Sequence, residues 1–157
     1  MRKRLVTPIV DDRVPFEGGT LDIANLASVE ITSEHQAFPI EFALQPGDRR
    51  GWRAAEPGAQ TIRLVFDEPQ KLSRIRLVFE ETEIQRTQEF VLTWSADHGQ
   101  SFREIVRQQW NFSPPATVRE TEDYTVDLRD VNILELRILP DQSGGGARAS
   151  LTSLRLA

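Results

Sequence analysis

Thr61–Glu81 reads TIRLVFDEPQKLSRIRLVFEE, and its apolar residues fall on two runs with a beat of two. Ile62, Leu64 and Phe66 share one face of the first run, and Ile75, Leu77 and Phe79 share one face of the second. Arg63 and Arg76 point the other way. A period of two marks a half-buried β-strand, because successive side chains of an extended chain project to opposite faces. The stretch therefore predicts two adjacent strands, 61–69 and 73–81, with the repeated string IRLVF meeting one core in both.

The same pattern continues outward in both directions. Upstream, LASVEITSE (Leu26–Glu34) reads as a strand, and His35–Trp52 as a long irregular connection broken by Pro39, Pro46, Gly47 and Gly51, with one helical turn around Ile40–Leu44. Downstream, Glu89–Ser95 sends Phe90, Leu92 and Trp94 inward. Ser101–Phe112 follows, and Ser113-Pro114-Pro115 ends it, since proline has no N–H for a ladder. Tyr124–Leu128, Ile133–Leu139 and Ser150–Leu156 complete the set, the last two separated by the flexible PDQSGGGARA. Eight strands with turn signals about 8–12 residues apart predict an all-β sandwich or barrel. Residues 1–20, with two prolines and Gly18-Gly19, read as an extended lead-in, and 21–157 as a single β-sandwich domain.

Between two of these strands lies WSADHGQSF (Trp94–Phe102), with Ser95, Asp97, Gly99 and Ser101 on every second position. In a hairpin, Asp97 accepts hydrogen bonds from turn N–H groups, Gly99 takes a positive φ, and the serines stitch the strand ends. Phe102 is expected to drop back onto the core beside Trp94. The stretch resembles the Asp-box turn of sialidase-type propellers, which repeat it once per blade. Here it occurs once, and every residue on the beat has a structural task, so it reads as architecture.

Composition narrows the function. Lys and Arg total 19 against 24 Asp and Glu, a formal charge of −5, which disfavours a nucleic-acid or anionic-membrane partner. With no cysteine, there is no disulfide framework, thiolate metal site or cysteine nucleophile. The basic start MRKR is followed by Pro8, Asp11 and Asp12 rather than an apolar run, so no secretory signal is read and a cytoplasmic location is expected. The two histidines, His35 and His98, belong to no G-x-S-x-G, H-E-x-x-H or phosphate-loop pattern, so no enzyme is expected; the alternative is a hydrolase built on two carboxylates that meet in space.

The ordered pieces ASVEITSEHQAFPIEFAL, GWRAAEPGAQTIRLVF, WSADHGQSF and the closing LRIL…ASLTSLRL resemble a galactose-binding-like jelly roll. This is the fold of discoidin (coagulation-factor type C) domains and many carbohydrate-binding modules. The likeness spans Leu26–Leu156 and implies an eight-stranded antiparallel jelly-roll β-sandwich. It places Trp52 as the tryptophan that plugs one end of the barrel. Family members often hold a structural calcium with a carboxylate in the loop before this tryptophan and a Glu in the last strand. Asp48 matches the first, but Ser153 stands near the second, so no cofactor is expected. Sugar-binding members often carry His after the tryptophan, where this chain has Arg53.

A sugar site needs an aromatic face for the ring's C–H surface and forked polar groups for its hydroxyls. The loop residues of suitable type are His35, Phe38, Arg49, Arg50, Arg53, Arg86, Trp110 and Asn111. Trp110, at a strand end, reads either as an exposed stacking aromatic or as core. Arg49, Arg50 and Arg53 form a basic cluster suited to carboxylates, or a solvated loop paired with nearby acids. The acidic runs Glu80-Glu81-x-Glu83 and Glu120-x-Glu122-Asp123 read as cation-attracting or solvated loop surfaces. The expectation is a non-catalytic module that binds carbohydrate or a similar polar small ligand through loops at one end of the sandwich. The alternative is an intracellular protein–protein interaction domain without a small-molecule ligand. No residue pattern specifies an oligomeric state.

Overall fold

A computed structural model describes residues 19–157. The expected lead-in, 1–20, lies almost wholly outside the described residues. Eight strands follow in chain order: β1 Ala27–Ile31, β2 Trp52–Pro57, β3 Gln60–Glu80, β4 Arg86–Ser95, β5 Arg103–Phe112, β6 Arg119–Leu139, β7 Arg148–Leu151 and β8 Ser153–Leu156. Two single-turn helices, α1 Ile23–Leu26 and α2 Glu41–Leu44, precede and follow β1. Six strands are hydrogen-bonded in the order β1-β3-β6-β4-β5, with β8 also on β3, and β2 pairs β7 separately. Every pairing is antiparallel.

The sandwich arises because β3 and β6 serve both of its layers. The first half of β3 pairs β1 and the second half of β6, which continues to β4 and β5. The second half of β3 pairs β8 and the first half of β6. The eight strands are thus divided differently from the expected eight. The segments 61–69 and 73–81 fuse into β3, and 124–128 and 133–139 fuse into β6. The final 150–156 splits at Thr152, whose N–H donates to the Val78 carbonyl at 2.8 Å. β2 begins at Trp52, where the sequence reads as the end of an irregular connection.

The fusion has a physical reason. Phe66 and Ile75 both face the interior, yet they are an odd number of residues apart, so an unbroken period of two cannot bury both. The register shifts between Val65 and Arg74 absorb the odd residue and bend the strand into the other layer without ending it. Both sets of three then meet one core: Ile62, Leu64 and Phe66 are at most 5% exposed, and Ile75, Leu77 and Phe79 are at 0%. Phe79 and Phe90 stack across the layers with ring centroids 5.2 Å apart. Trp52 is fully buried, as expected of the barrel plug, and its indole N–H donates to the Ser33 carbonyl at 3.0 Å.

The Trp94–Phe102 hairpin does what its residues predict, with one exception. Ser95 Oγ donates to Asp97 Oδ1 at 2.7 Å and accepts from Gly99 N–H at 2.9 Å. Asp97 Oδ1 also accepts from Ser101 N–H at 2.9 Å, and Oδ2 accepts from the Ser101 hydroxyl. Gly99 has φ +87°. The exception is Phe102. It is 38% exposed rather than seated on the core, and its ring lies 5.6 Å from the Arg63 guanidinium on the outer face. It stands just before β5, outside the alternation that aims side chains inward. Trp94 is half-buried against the core, with Arg103 over its ring at 5.8 Å.

The run Glu120-x-Glu122-Asp123 lies inside β6 rather than in a loop, and alternation separates its members. Asp123 faces outward, bound by Arg74 at 2.7 Å and Arg76 at 3.1 Å. Glu120 faces inward at 0% exposure; Gln88 Nε2 donates to its Oε1 at 3.2 Å, and its Oε2 is buried without a partner among the described residues. Burial, with the Glu122 carboxylate beside it, pushes Glu120 up to about 9, so it carries a proton at neutral pH.

Two outcomes follow. A carboxyl whose folded pKa lies above its ordinary 4.5 binds a proton that the unfolded chain has lost, so its effect on stability worsens as pH rises from about 4.5 to about 9. Glu120→Gln, which keeps the shape without the charge, should raise the melting temperature near the upper end of that window and lose its advantage toward the lower end. Asp97 behaves oppositely: the hydroxyls of Ser101 and Ser95 hold it at about 2, below its ordinary 3.8. Its contribution is complete above about 3.8 and disappears as pH falls toward 2. In acid melts, Asp97→Asn should flatten that part of the wild-type stability curve.

Candidate functional site

A cleft of about 350 Å³ opens at one end of the sandwich, where the β2–β7 pair meets the turn after β3. One wall is the segment from His35 to Arg53. A short bridge joins His35 to Phe38, and β2 closes on it: His35 N–H donates to the Arg53 carbonyl at 2.7 Å, and Arg53 N–H to the Phe38 carbonyl at 3.2 Å. The side chains stack in the same order, with His35 5.6 Å from the Phe38 ring and the Arg53 guanidinium 4.5 Å over it. Ala37 N–H donates to His35 Nδ1 at 3.0 Å, which puts the proton of the neutral ring on Nε2.

The opposite wall is the turn Glu81–Ile84. Glu81 organises it: Oε2 accepts from the N–H groups of Glu83 at 3.1 Å and Ile84 at 3.5 Å, and Oε1 accepts from Arg86 Nε at 2.7 Å. Burial opposes ionisation of Glu81, but these bonds together hold it below the usual carboxylate range. Ile84 is 45% exposed on the lip. Glu80 pairs with Arg119 at 3.0 Å. The acidic run 80–83 is therefore largely committed to the frame. Arg148 and Ser150 of β7 form the floor with Trp52 and Ala149.

The charges in the cleft sort by commitment. Arg50 grips Asp48 in a fork, Nη2 to Oδ2 at 2.7 Å and Nε to Oδ1 at 3.2 Å, and lies 3.4 Å over the Phe42 ring. Arg53 and Arg148 are exposed, and neither holds a carboxylate among the described residues. An uncommitted guanidinium presents a planar fork of donors matched to carboxylates and to paired hydroxyls.

Of the eight residues singled out from sequence, six line two depressions and two, Arg49 and Trp110, line neither. His35, Phe38, Arg50 and Arg53 line this cleft. Arg49 is exposed just before it, outside the lining. Arg86 and Asn111 line a shallower depression on the other side of the Glu81–Arg86 pair. Arg86 is 3% exposed, and its Nη1 donates to the Pro140 carbonyl at 2.7 Å, so its donors serve the frame. Asn111 accepts from Thr87 Oγ1 across β4 and β5 at 2.8 Å. Trp110 packs on the core face of β5 opposite Gln88, with its indole nitrogen buried, and is the core alternative rather than an exposed platform. The lining residues missed from sequence are chiefly Arg148, Ser150 and Ile84. Nothing local marks them, because only the pairing of β7 with β2 and the turn after β3 bring them to His35.

The carboxylate expected for calcium is not available in this form. Both Asp48 oxygens accept from Arg50, and a serine stands at the partner position. Among the described residues no three His, Asp or Glu side chains gather as a metal site. Calcium requires about six to eight oxygens, and the residues present do not fit it.

No protein-family model matches the sequence, and neither does any curated protein. Solved structures do match the fold. A family 32 carbohydrate-binding module of Clostridium perfringens, in complex with GalNAc-β-1,3-galactose, superposes with a TM-score of 0.63 at 20% identity, over 88% of this chain and 99% of that one. The family 32 module of Clostridium perfringens NanJ, in complex with galactose, gives 0.61 at 15% identity, over 87% and 97%. The family 32 module of AlyQ, in complex with 4,5-unsaturated mannuronic acid, gives 0.62 at 13% identity, over 84% and 95%. The chain therefore has the galactose-binding-like jelly-roll fold of these modules.

Proposed function

We propose that the chain is a non-catalytic carbohydrate-binding module whose ligand enters the cleft between His35–Arg53 and Glu81–Ile84. The observation that carries this reading is the pair of uncommitted guanidiniums, Arg53 and Arg148, at a cleft whose other charged groups are mostly paired. Their forks suit the hydroxyls and carboxylates of saccharides. Ile84 and the Phe38 ring edge offer apolar contact to a sugar's C–H face, and His35 Nε2 adds a donor. Glu80 and Glu81 are each held by an arginine, which supports binding over acid–base hydrolysis. The saccharide complexes of the structural neighbours support the same ligand class.

A calorimetric titration with galactose, N-acetylgalactosamine and galacturonate tests it. At least one sugar should bind with saturable heat and raise the melting temperature, because a ligand of the folded state stabilises it. Arg53→Ala and Arg148→Ala should each weaken that binding by roughly tenfold, about 1.4 kcal/mol, with Arg148→Ala leaving the melting temperature of the free protein unchanged. Binding indifferent to both substitutions, or no binding by oligosaccharides built from these sugars, would remove the proposal.

A further inference from the structure

Arg155 is a cation 8% exposed, placed in β8 and aimed at the loop that leads to the cleft wall. Its Nη1 donates to the Ala43 carbonyl at 2.8 Å and to the Leu154 carbonyl at 2.9 Å, and its Nη2 donates to the Gln45 carbonyl at 2.7 Å. The first and last of these acceptors belong to the end of α2 and the residue after it. The last carbonyls of a helix have no intrahelical partner and are satisfied from outside it; the Gln45 carbonyl also accepts from Asp48 N–H at 3.3 Å. Asp48 lies in the same loop and feels the charge of Arg155, after the stronger hold of Arg50.

The loop is also pinned at its far end. Gly51 has φ +74°, and a Cβ there would stand 2.8 Å from the Leu151 carbonyl oxygen and 2.9 Å from Thr152 Cα. The segment from Ala43 to Gly51 is therefore drawn onto the C-terminal strands at both ends, by a guanidinium at one and by close backbone contact at the other. Trp52 and Arg53 of the cleft wall follow directly.

We infer that the Arg155 guanidinium is the resident cation of this loop, gathering the Ala43 and Gln45 carbonyls, so that the fold and its cleft wall are independent of divalent ions. The inference stands whatever the cleft binds. A calcium ion set among these carbonyls would face the charge of Arg155, while the Asp48 carboxylate nearby is occupied by Arg50.

Melting and calorimetry on the full chain decide it. The wild-type melting temperature should be the same in millimolar calcium and in chelator, and calcium titration should give no saturable heat. Arg155→Met should lower the melting temperature by roughly 5–10 °C, because its charge-assisted hydrogen bonds to the Ala43 and Gln45 carbonyls are lost. Arg155→Lys keeps the charge without the fork and should fall between. In Arg155→Lys, the amides of Gln45 and of residues 47–51 should exchange faster than in wild type, with β4 amides unchanged. Calcium-dependent melting of the wild type would overturn the inference. So would an Arg155→Met variant that melts like the wild type, or loop exchange unchanged in Arg155→Lys. If Arg155→Met does not fold, the Arg155→Lys exchange and the wild-type calcium titration carry the decision.

Discussion

The antiparallel pairing of β3 with β6 is the constraint on which the other elements depend. Both strands are long enough to cross the sandwich, and both bend at the same place, where their register shifts. One half of the pair supplies the centre of the layer that carries β1, β4 and β5. The other half supplies the layer that carries β8. If the shift were removed, the alternation that buries Ile62, Leu64 and Phe66 would turn Ile75, Leu77 and Phe79 to the outside. A register error of one residue in a strand of period two exchanges its faces completely. The irregular segment between Val65 and Arg74 is therefore what lets two apolar runs of opposite phase share one interior.

Once that interior is closed, the charged side chains it catches need separate solutions. Arg86 is satisfied by Glu81, Gln88 and the Pro140 carbonyl, and it ties the turn after β3 to the loop after β6. Arg155 is satisfied by main-chain carbonyls and ties β8 to α2. Glu120 has one glutamine and a neighbouring acid, and it resolves the conflict by keeping a proton. These are the outcomes expected of buried ionisable groups: pairing, charge-assisted hydrogen bonding to backbone, or neutralisation. The cleft is where such commitments run out, leaving Arg53 and Arg148 exposed with donors to spare.

Much of the fold was legible locally. Strand positions with clean alternation are buried as their period requires. The single helical turn appears at Glu41–Leu44, and the Ser95–Ser101 hairpin makes the hydrogen bonds its residue types allow. Trp52 sits in the core. The departures, and the points the sequence left open, cluster where a side chain's direction depends on a neighbour in space. Phe102 stays outside because it precedes the ladder of β5. Trp110 turns inward because its partner across the sheet is Gln88, on the core face of β4. Half of the candidate site, His35, Phe38, Arg50 and Arg53, was recognisable because loop aromatics and arginines near the barrel tryptophan are contiguous in the chain. The other half comes from the turn after β3 and from β7, far away in sequence.

The chain by itself determined which segments extend, which side chains are apolar enough to be buried, and that the result is all-β; the jelly-roll kind came from the family resemblance. Those properties rest on local rules: a period of two, turn residues that tolerate positive φ, and prolines that stop ladders. Only the tertiary structure decided that four of the expected strands are two, that Arg155 reaches the loop beyond α2, that Glu120 is enclosed and protonated, and that Arg53 and Arg148 line one cleft. Each of these turns on which distant segments share a neighbourhood, and so on the register of β3 against β6. That register is set by the summed burial of many side chains and is written at no single position.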